Sequence, residues 1–568
     1  MSLPSSTLAS TQHAPSELRR PCVSYAPSIW GDTFLQYAAQ SKETDDNVKQ
    51  QAEKLKEEVK SIFQSSMNQN IVQKLNFIDS VQRLGVSYHF QQEINQELEQ
   101  IYNTYTKNIS INEDGDYHFI ALLFRLLRQQ GYGISSDVFN KFKNGQGNFK
   151  ETLANDVQGL CSLYEASHLR IPGDDVLEEA CDFSNTKLKS LAKQLSPSLV
   201  AQINHCLRRP LNKSVPRFET KHYMTLFEQD PSHNETLLIF AKVDFNLIQK
   251  LYKKEIGRIT EWRKNSNFVT RVPYARDRSV ESYLWSLAIS YKPEYSNART
   301  FVGKLIHTIC LLDDTYDAYG TFEELELFTK AIQRWDISHI RSLPQSMKVV
   351  FETVLQLCEE IELLTRENGK SNFVVPSFKQ AVFNLTKGYM VEAKWCHEDY
   401  IPTYDEYKAN GVFTSTYPCM ITSFISLIEV ATESVVDWIF SDPSILAAAS
   451  VIGRVMDDMA SHKFEQERVH VASAVECCMK QYSISQAEAY NLIHKDVEDC
   501  WKVINEEYMK SSNIPKCVLD CIVNLARISE VSYENHEDKY TNPEFIKDYI
   551  SSLLVDPVSI DQEKLSAI

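Results

Sequence analysis

Three aspartates close an apolar run at residues 309–321, ICLLDDTYDAYGT: Asp313, Asp314 and Asp317. Carboxylates enter a protein interior only when paired, so these either face solvent or meet something cationic. On a helix Asp313 and Asp317 stand at i and i+4 and share a face, whereas Asp314 is turned about 100° away, toward a basic partner. A second cluster lies in ASVIGRVMDDMASHKFEQE, residues 449–467, where Asp457, Ser461 and Glu465 stand at i, i+4 and i+8. These positions drift only about 40° per step along one helix face. Every donor is oxygen, which hard cations such as Mg²⁺ take. One such cluster in a charged chain is most simply a solvated acidic face. Two, each ending an apolar run at chelating spacing, point instead to metal. Mg²⁺ takes few carboxylates and completes its shell with water and substrate phosphates. Arg276 and Arg278 in PYARDR, and Arg454 one turn before Asp457, are the cations that would complete a diphosphate site.

The elements that must carry these residues are helices. Only 16 of 568 residues are glycine, a shortage that suits long helices and disfavours α/β nucleotide-binding folds with their many glycine turns. In VVFETVLQLCEEIELL, from Val349, the residues Phe351, Val354, Cys358 and Ile361 fall on one helical stripe. LAKQLSPSLVAQINHCL near 191 and KDVEDCWKVINEEY near 495 read the same way, and neither strand-type alternation nor a repeat of fixed period is evident. The length calls for two or more domains. Pro210 and Pro216 interrupt the pattern in RRPLNKSVPRF, and a new helix is predicted from about 235, which puts a boundary between 215 and 250. Residues 1–30 are polar and Pro/Ser-rich and predict a flexible N-terminal tail. Rich in Ser and Thr with Glu17 as their one acid, they leave a short organellar transit peptide open.

Composition narrows the function. A net charge of −17 argues against a nucleic-acid partner and means that a phosphorylated substrate needs local cations. Thirteen cysteines without CxxC pairs read as reduced thiols in an intracellular compartment. No run of about 20 apolar residues exists. The nearest, YPCMITSFISLIEVAT from Tyr417, is broken by Thr422, Ser423, Ser426 and Glu429 and predicts a buried core helix. GKS at 369–371 lacks the upstream glycine of a P-loop, and GxGxxG, HExxH and HD are absent.

DDTYD and DDMASHKFE resemble the two metal motifs of class I terpene synthases, DDxxD and (N/D)Dxx(S/T)xxxE. RPCVSYAPSIW, residues 20–30, is similar to the RP-x8-W segment of plant sesquiterpene synthases. RLLRQQGYGIS, YEASHLRIPGDDVLEEA, AKVDFN, PYARDR and NLARISEVSY are close to that family's text, so the resemblance covers nearly the whole chain. It implies an all-α protein of two helical domains: a catalytically silent, barrel-like N-terminal domain over residues 31–244 and a C-terminal class I α-bundle over residues 245–568, with the first residues capping the closed site. Position by position, it implies that Asp313 and Asp317 bind two Mg²⁺, that Asp457, Ser461 and Glu465 bind a third, and that Glu392 supports the first cluster through water. Arg276, Arg278 and Arg454 match residues that grip the diphosphate. Trp285 matches the pocket-wall tryptophan, and Tyr533 and Tyr540 match tyrosines of its upper part, near Asp538. Two departures stand out: the family's Asp-Gly-Tyr is Asp538-Lys539-Tyr540 here, which puts the capping-loop conformation in question, and Asp399 replaces a common glycine, with a surface effect expected.

The implied activity is that of a carbon–oxygen lyase acting on farnesyl diphosphate. An allylic C–O bond breaks, diphosphate leaves under Mg²⁺ and arginine neutralisation, and the carbocation cyclises away from water. Aromatic faces stabilise such a cation by about 0.5–2 kcal/mol each. Aromatic residues are 11% of the chain, more than one pocket can use, so any without a matched position is core. Mn²⁺ is an expected substitute for Mg²⁺. With 19 residues ahead of Arg20 and an RP rather than RR form, the expected protein is a cytoplasmic monomer without a membrane span. The alternatives are a monoterpene synthase on geranyl diphosphate, a prenyl chain-elongating transferase, whose family carries two DDxxD motifs, and an inactive helical scaffold.

Overall fold

The computed structural model describes residues 25–39, 46–65, 70–107, 116–193, 195–467 and 470–561. Residues 1–24, with Arg20 and most of the expected tail, lie outside them. Among the described residues there is no β-strand, only an isolated bridge between Lys143 and Phe149.

Helix ends follow local chemistry. Asn234 accepts a hydrogen bond from Leu237 N at 2.8 Å and starts the 32-residue helix Glu235–Ser266. Thr321, Thr403, Ser473 and Ser485 each form a capping box with a glutamate three residues on. Pro216 occupies the first turn of Pro216–Gln229, where its missing N–H costs nothing. Pro197 does the same for Pro197–Arg208, so the run near 191 is two helices rather than one. The stripe of Phe351, Val354, Cys358 and Ile361 is buried in Gln345–Arg366. The apolar run from Tyr417 yields a buried helix of only ten residues, Tyr417–Ser426. No single helix among the described residues is long and apolar enough to cross a membrane, and no described cysteine is in a disulfide.

One hydrophobic core runs through both halves of the chain, from Trp30 to Leu554, with a small satellite of Leu160, Tyr164, Leu188, Ile203 and Cys206. Polar contacts lock the halves together: Arg170 reaches Glu498 at 2.8 Å, and Asn505 donates to the carbonyls of His168 and Arg170 at 3.0 and 2.9 Å. The boundary expected between 244 and 245 falls inside the helix Glu235–Ser266. A cut there would break a continuous hydrogen-bonded ladder; the nearest interruption is the segment 230–234.

In the second half, Ser279–Ile289 packs against Ser296–Ala318 and Lys516–Ser532. Ser444–Glu465 packs against Tyr404–Thr414, Gln486–Lys510 and Lys516–Ser532. These helices enclose the site. Asp399 is exposed at φ +52°, the left-handed region that favours glycine, so the departure at that position costs local backbone strain as well as altering the surface.

Candidate active site

The first acidic cluster ends the helix Ser296–Ala318. Asp314 is fully buried, and its Oδ2 accepts the Arg276 backbone N–H at 2.7 Å and its Nε–H at 3.3 Å; burial, opposed by Arg276, pushes its carboxyl up to about 6. This is the basic partner that its rotation off the Asp313 face calls for. Asp313 turns into an acidic chamber, where Arg276 Nη2 meets it at 2.6 Å, and Asp317 lines the same chamber.

Ser444–Glu465 brings the second cluster to that chamber. Arg454 donates to Asp458 through Nε at 2.8 Å and to Asp457 at 2.6 Å. Asp458 is buried and also accepts Ala474 N at 2.9 Å, so it fixes the arginine and the next helix. A Cβ at Gly411 would lie 3.0 Å from Arg454 Cγ, so any larger residue there would press on this arginine. The Ser461 hydroxyl donates to Glu465 Oε1 at 2.9 Å, and Glu465 Oε2 is buried without a hydrogen-bond partner. Glu392 accepts from Thr414 at 2.7 Å and Asn410 at 3.1 Å.

Seven carboxylates and only two guanidinium groups line this chamber. Burial pushes Asp457 and Glu392 up to about 7 and Glu465 up to about 8, the last reinforced by Asp458 and Asp317. Clustered anions, an orphaned buried oxygen and an all-oxygen donor set fit hard divalent cations. Among the described residues no three His, Cys, Asp or Glu side chains gather into a ready-made metal cage. The residues therefore fit ions that complete their shells with water and substrate oxygens rather than with protein alone.

A second chamber adjoins the first and shares Asp313, Arg454 and Asp457 with it. Its wall is apolar and aromatic. Trp285, buried on Ser279–Ile289, is edge-on to Tyr417, Tyr533 and Tyr540 with ring centroids 6.1, 6.3 and 6.2 Å apart. Ile306, Ile309 and Met420 add aliphatic surface. Tyr540 and Ser282 share a hydrogen bond at 2.9 Å, and Asp538 Oδ1 accepts from Tyr540 N and Thr541 N at 3.0 and 2.8 Å.

Sequence reasoning missed one wall element. Tyr404–Thr414 stops at Ser415, and Thr416 lies at φ +74° before Tyr417–Ser426 begins. Thr414, Ser415 and Thr416 line the apolar chamber. A helix C-terminus leaves carbonyls without intrahelical donors and carries partial negative charge, which suits a cation. Pro418, in the first turn of the new helix, was the one local signal for the break.

Arg278 is placed differently from its expected role. It is fully buried, lines neither chamber, and spends its guanidinium on the carbonyls of Asp277 (2.8 Å), Ala26 (2.8 Å) and Thr541 (2.7 Å). It ties the N-terminal segment to the loop before Pro543. That segment covers the acidic chamber: Tyr25 lines it with its ring 5.1 Å from Arg276 Cζ, and Trp30 Nε1 donates to the buried Glu281 at 3.1 Å. Lys539 points away from both chambers, into Glu534.

Comparison with known proteins agrees with this arrangement. Residues 29–207 match the family described as "Terpene synthase, N-terminal domain", and residues 264–503 match "Terpene synthase family, metal binding domain". A sesquiterpene synthase from Santalum austrocaledonicum is 44% identical over 96% of this chain and 97% of its own length. The crystal structure of limonene synthase with 2-fluorolinalyl diphosphate superposes with a TM-score of 0.90 at 32% identity, covering 95% of this chain and 100% of that one. Isoprene synthase from grey poplar (Populus x canescens), in complex with three Mg²⁺ ions and dimethylallyl-S-thiolodiphosphate, superposes with a TM-score of 0.84 at 30% identity over 94% of this chain and 99% of that one. With both acidic clusters on one chamber, and both clusters inside the matched metal-binding domain, the chain belongs to the terpene synthase family.

Proposed function

We propose that this protein is a sesquiterpene synthase that ionises farnesyl diphosphate and cyclises or rearranges the resulting carbocation. The observation that carries the reading is the junction of the two chambers at Asp313, Arg454 and Asp457: a diphosphate held among the acids and arginines would present its hydrocarbon tail to the aromatic wall. The likeness to a sesquiterpene synthase at 44% identity, against 32% for limonene synthase, favours the fifteen-carbon substrate.

Asp313 and Asp317, with Glu392 behind them, would hold two Mg²⁺, and Asp457, Ser461 and Glu465 a third; Mn²⁺ would serve in their place. Bound there, the ions supply charge neutralisation for the leaving diphosphate. Arg276 and Arg454 lie where the departing charge collects, and their carboxylate partners hold them aimed. Trp285, Tyr417, Tyr533 and Tyr540 exclude water and offer ring faces to the cation. The C-terminal end of Tyr404–Thr414 adds carbonyl dipoles. Asp538 and Tyr540, anchored to Ser282 and the 541 backbone, close the cavity. The N-terminal unit, ending in the segment 230–234, carries none of the chamber-lining acids and acts as support and lid. We infer a cytoplasmic monomer.

Incubation of the purified protein with Mg²⁺ and farnesyl diphosphate alone, read by gas chromatography and diphosphate release, tests this. Sesquiterpenes should form without a second substrate. Activity only on geranyl diphosphate would make it a monoterpene synthase. A requirement for isopentenyl diphosphate would make it a chain-elongating enzyme, and no turnover on any of these would leave a scaffold.

A further inference from the structure

The loop 533–541 is gripped from two sides. On the catalytic side, Arg276 Nη1 donates to the Thr541 hydroxyl at 3.0 Å, Arg278 holds the Thr541 carbonyl, and Tyr540 bonds Ser282. On the other side, Glu534 receives two hydrogen bonds from Arg208, at 2.7 and 2.8 Å, and forms an ion pair with Arg209, whose Nη2 stands 3.0 Å away. Both arginines close the helix Pro197–Arg208 in the N-terminal half. Lys539 joins the two grips. Its side chain is 6% exposed, its Nζ donates to Glu534 Oε2 at 2.8 Å, and its backbone N–H donates to the Ser532 carbonyl at 3.0 Å.

A buried ammonium is tolerated only with its carboxylate in place, so the pair fixes the loop in one register. In that register the residues on either side of Lys539, Asp538 and Tyr540, both line the apolar chamber. Tyr540 in turn lies edge-on to Trp285. A chain of direct contacts therefore leads from Arg208 and Arg209 through Glu534 and Lys539 to the pocket wall.

We propose that Lys539 and Glu534 are positioning residues through which the N-terminal half sets the placement of Asp538 and Tyr540, and with it the route the carbocation takes. Neither partner of the ion pair lines the acidic or the apolar chamber. Its effect is on product partition and water exclusion, because small displacements of a cavity wall change which near-attack geometry is reached. This rests on the sesquiterpene synthase reading above, and deepens it by giving the N-terminal half a part in the outcome.

The test compares wild type, Lys539→Met, Lys539→Arg and Arg208→Gln for product profile, kcat and KM with farnesyl diphosphate. Lys539→Met keeps the aliphatic stem and removes the charge. It should raise minor acyclic and hydroxylated products by about twofold or more and lower kcat, with KM nearly unchanged. Lys539→Arg should restore the wild-type profile, and Arg208→Gln, at a half-exposed position, should shift products in the same direction as Lys539→Met. A wild-type profile in Lys539→Met overturns the proposal. Should Lys539→Met fail to fold, Arg208→Gln decides: a shifted profile supports the coupling and an unchanged one overturns it. Wild type that forms no product at all would instead sink the sesquiterpene synthase reading, which the variants do not address.

Discussion

Arg276 and Asp313 lie 2.6 Å apart, so the leading aspartate of the first acidic cluster is held by the same arginine that neutralises the buried Asp314 beside it. Asp313→Ala would remove a proposed metal ligand and leave Arg276 with Asp314 alone. The fold should survive, because Asp313 is 35% exposed and its loss relieves crowding among carboxylates rather than creating an unpaired charge. Turnover should fall about 10²-fold or more, as expected for losing leaving-group stabilisation. Unchanged turnover at limiting Mg²⁺ would remove Asp313 from the metal site.

In the second cluster the neutral member can be separated from the charged ones. Ser461 donates to Glu465 at 2.9 Å, so Ser461→Ala removes one neutral oxygen and loosens Glu465. It should raise the Mg²⁺ concentration needed for half-maximal rate more than it lowers the saturated rate. Asp457→Ala and Glu465→Ala each delete a carboxylate proposed as a charged ligand and should lower both. Mg²⁺ titrations of the three variants check this ordering. Equal damage from Ser461→Ala and Asp457→Ala would require new ligand roles.

Metal-free protein should show an inverted pH dependence at this site. Glu465 is pushed from 4.5 up to about 8 by burial and by neighbouring Asp458 and Asp317. The folded chain thus holds a proton that the unfolded chain releases, and its stabilising contribution is present below about 4.5 and lost as pH rises toward 8. Glu465→Gln keeps the shape without the titration. The melting temperature of metal-free wild type should therefore fall relative to Glu465→Gln between pH 5 and 8. Mg²⁺ with diphosphate should raise wild type most at the upper end, because binding requires the deprotonated form. Parallel melting curves across that range for wild type and variant would refute the assignment.

What the sequence revealed about this site was local. Spacing at i and i+4 is a property of one helix, so Asp313 with Asp317, and Asp457 with Ser461 and Glu465, could be placed on shared faces before any packing was known. The same rotation argument turned Asp314 toward a base, and Arg276 is there. The all-helical class followed from apolar stripes at helical spacing and from the scarcity of glycine, whereas Pro216, read as an interruption, also starts a helix. Arg278, by contrast, shares its segment with Arg276, and nothing in PYARDR tells which guanidinium faces the chamber and which meets the carbonyls of Ala26 and Thr541, partners 252 and 263 residues away. The break at Thr416 and the burial of Lys539 against Glu534 are likewise tertiary: propensity alone would continue the helix in one case and leave the lysine in water in the other.

Trp285 is the proposed point at which control of the cation parts from ionisation. It is buried, lines the apolar chamber and meets three tyrosine rings edge-on, yet it lies outside the chamber lined by both acidic clusters. Trp285→Ala would delete a ring face worth about 0.5–2 kcal/mol to a nearby cation and open room for water. Diphosphate release should persist in part, because Asp313, Arg454 and Asp457 are untouched. Products should move toward acyclic and hydroxylated sesquiterpenes, since a less enclosed cation is captured before it cyclises. Trp285→Phe retains a π-face and most of the volume, so its profile should stay nearer wild type. Product distribution measured beside diphosphate release, for both variants, distinguishes the two functions. A wild-type product profile in Trp285→Ala would make this tryptophan ordinary core and leave cation steering to the tyrosines and the carbonyl end of Tyr404–Thr414.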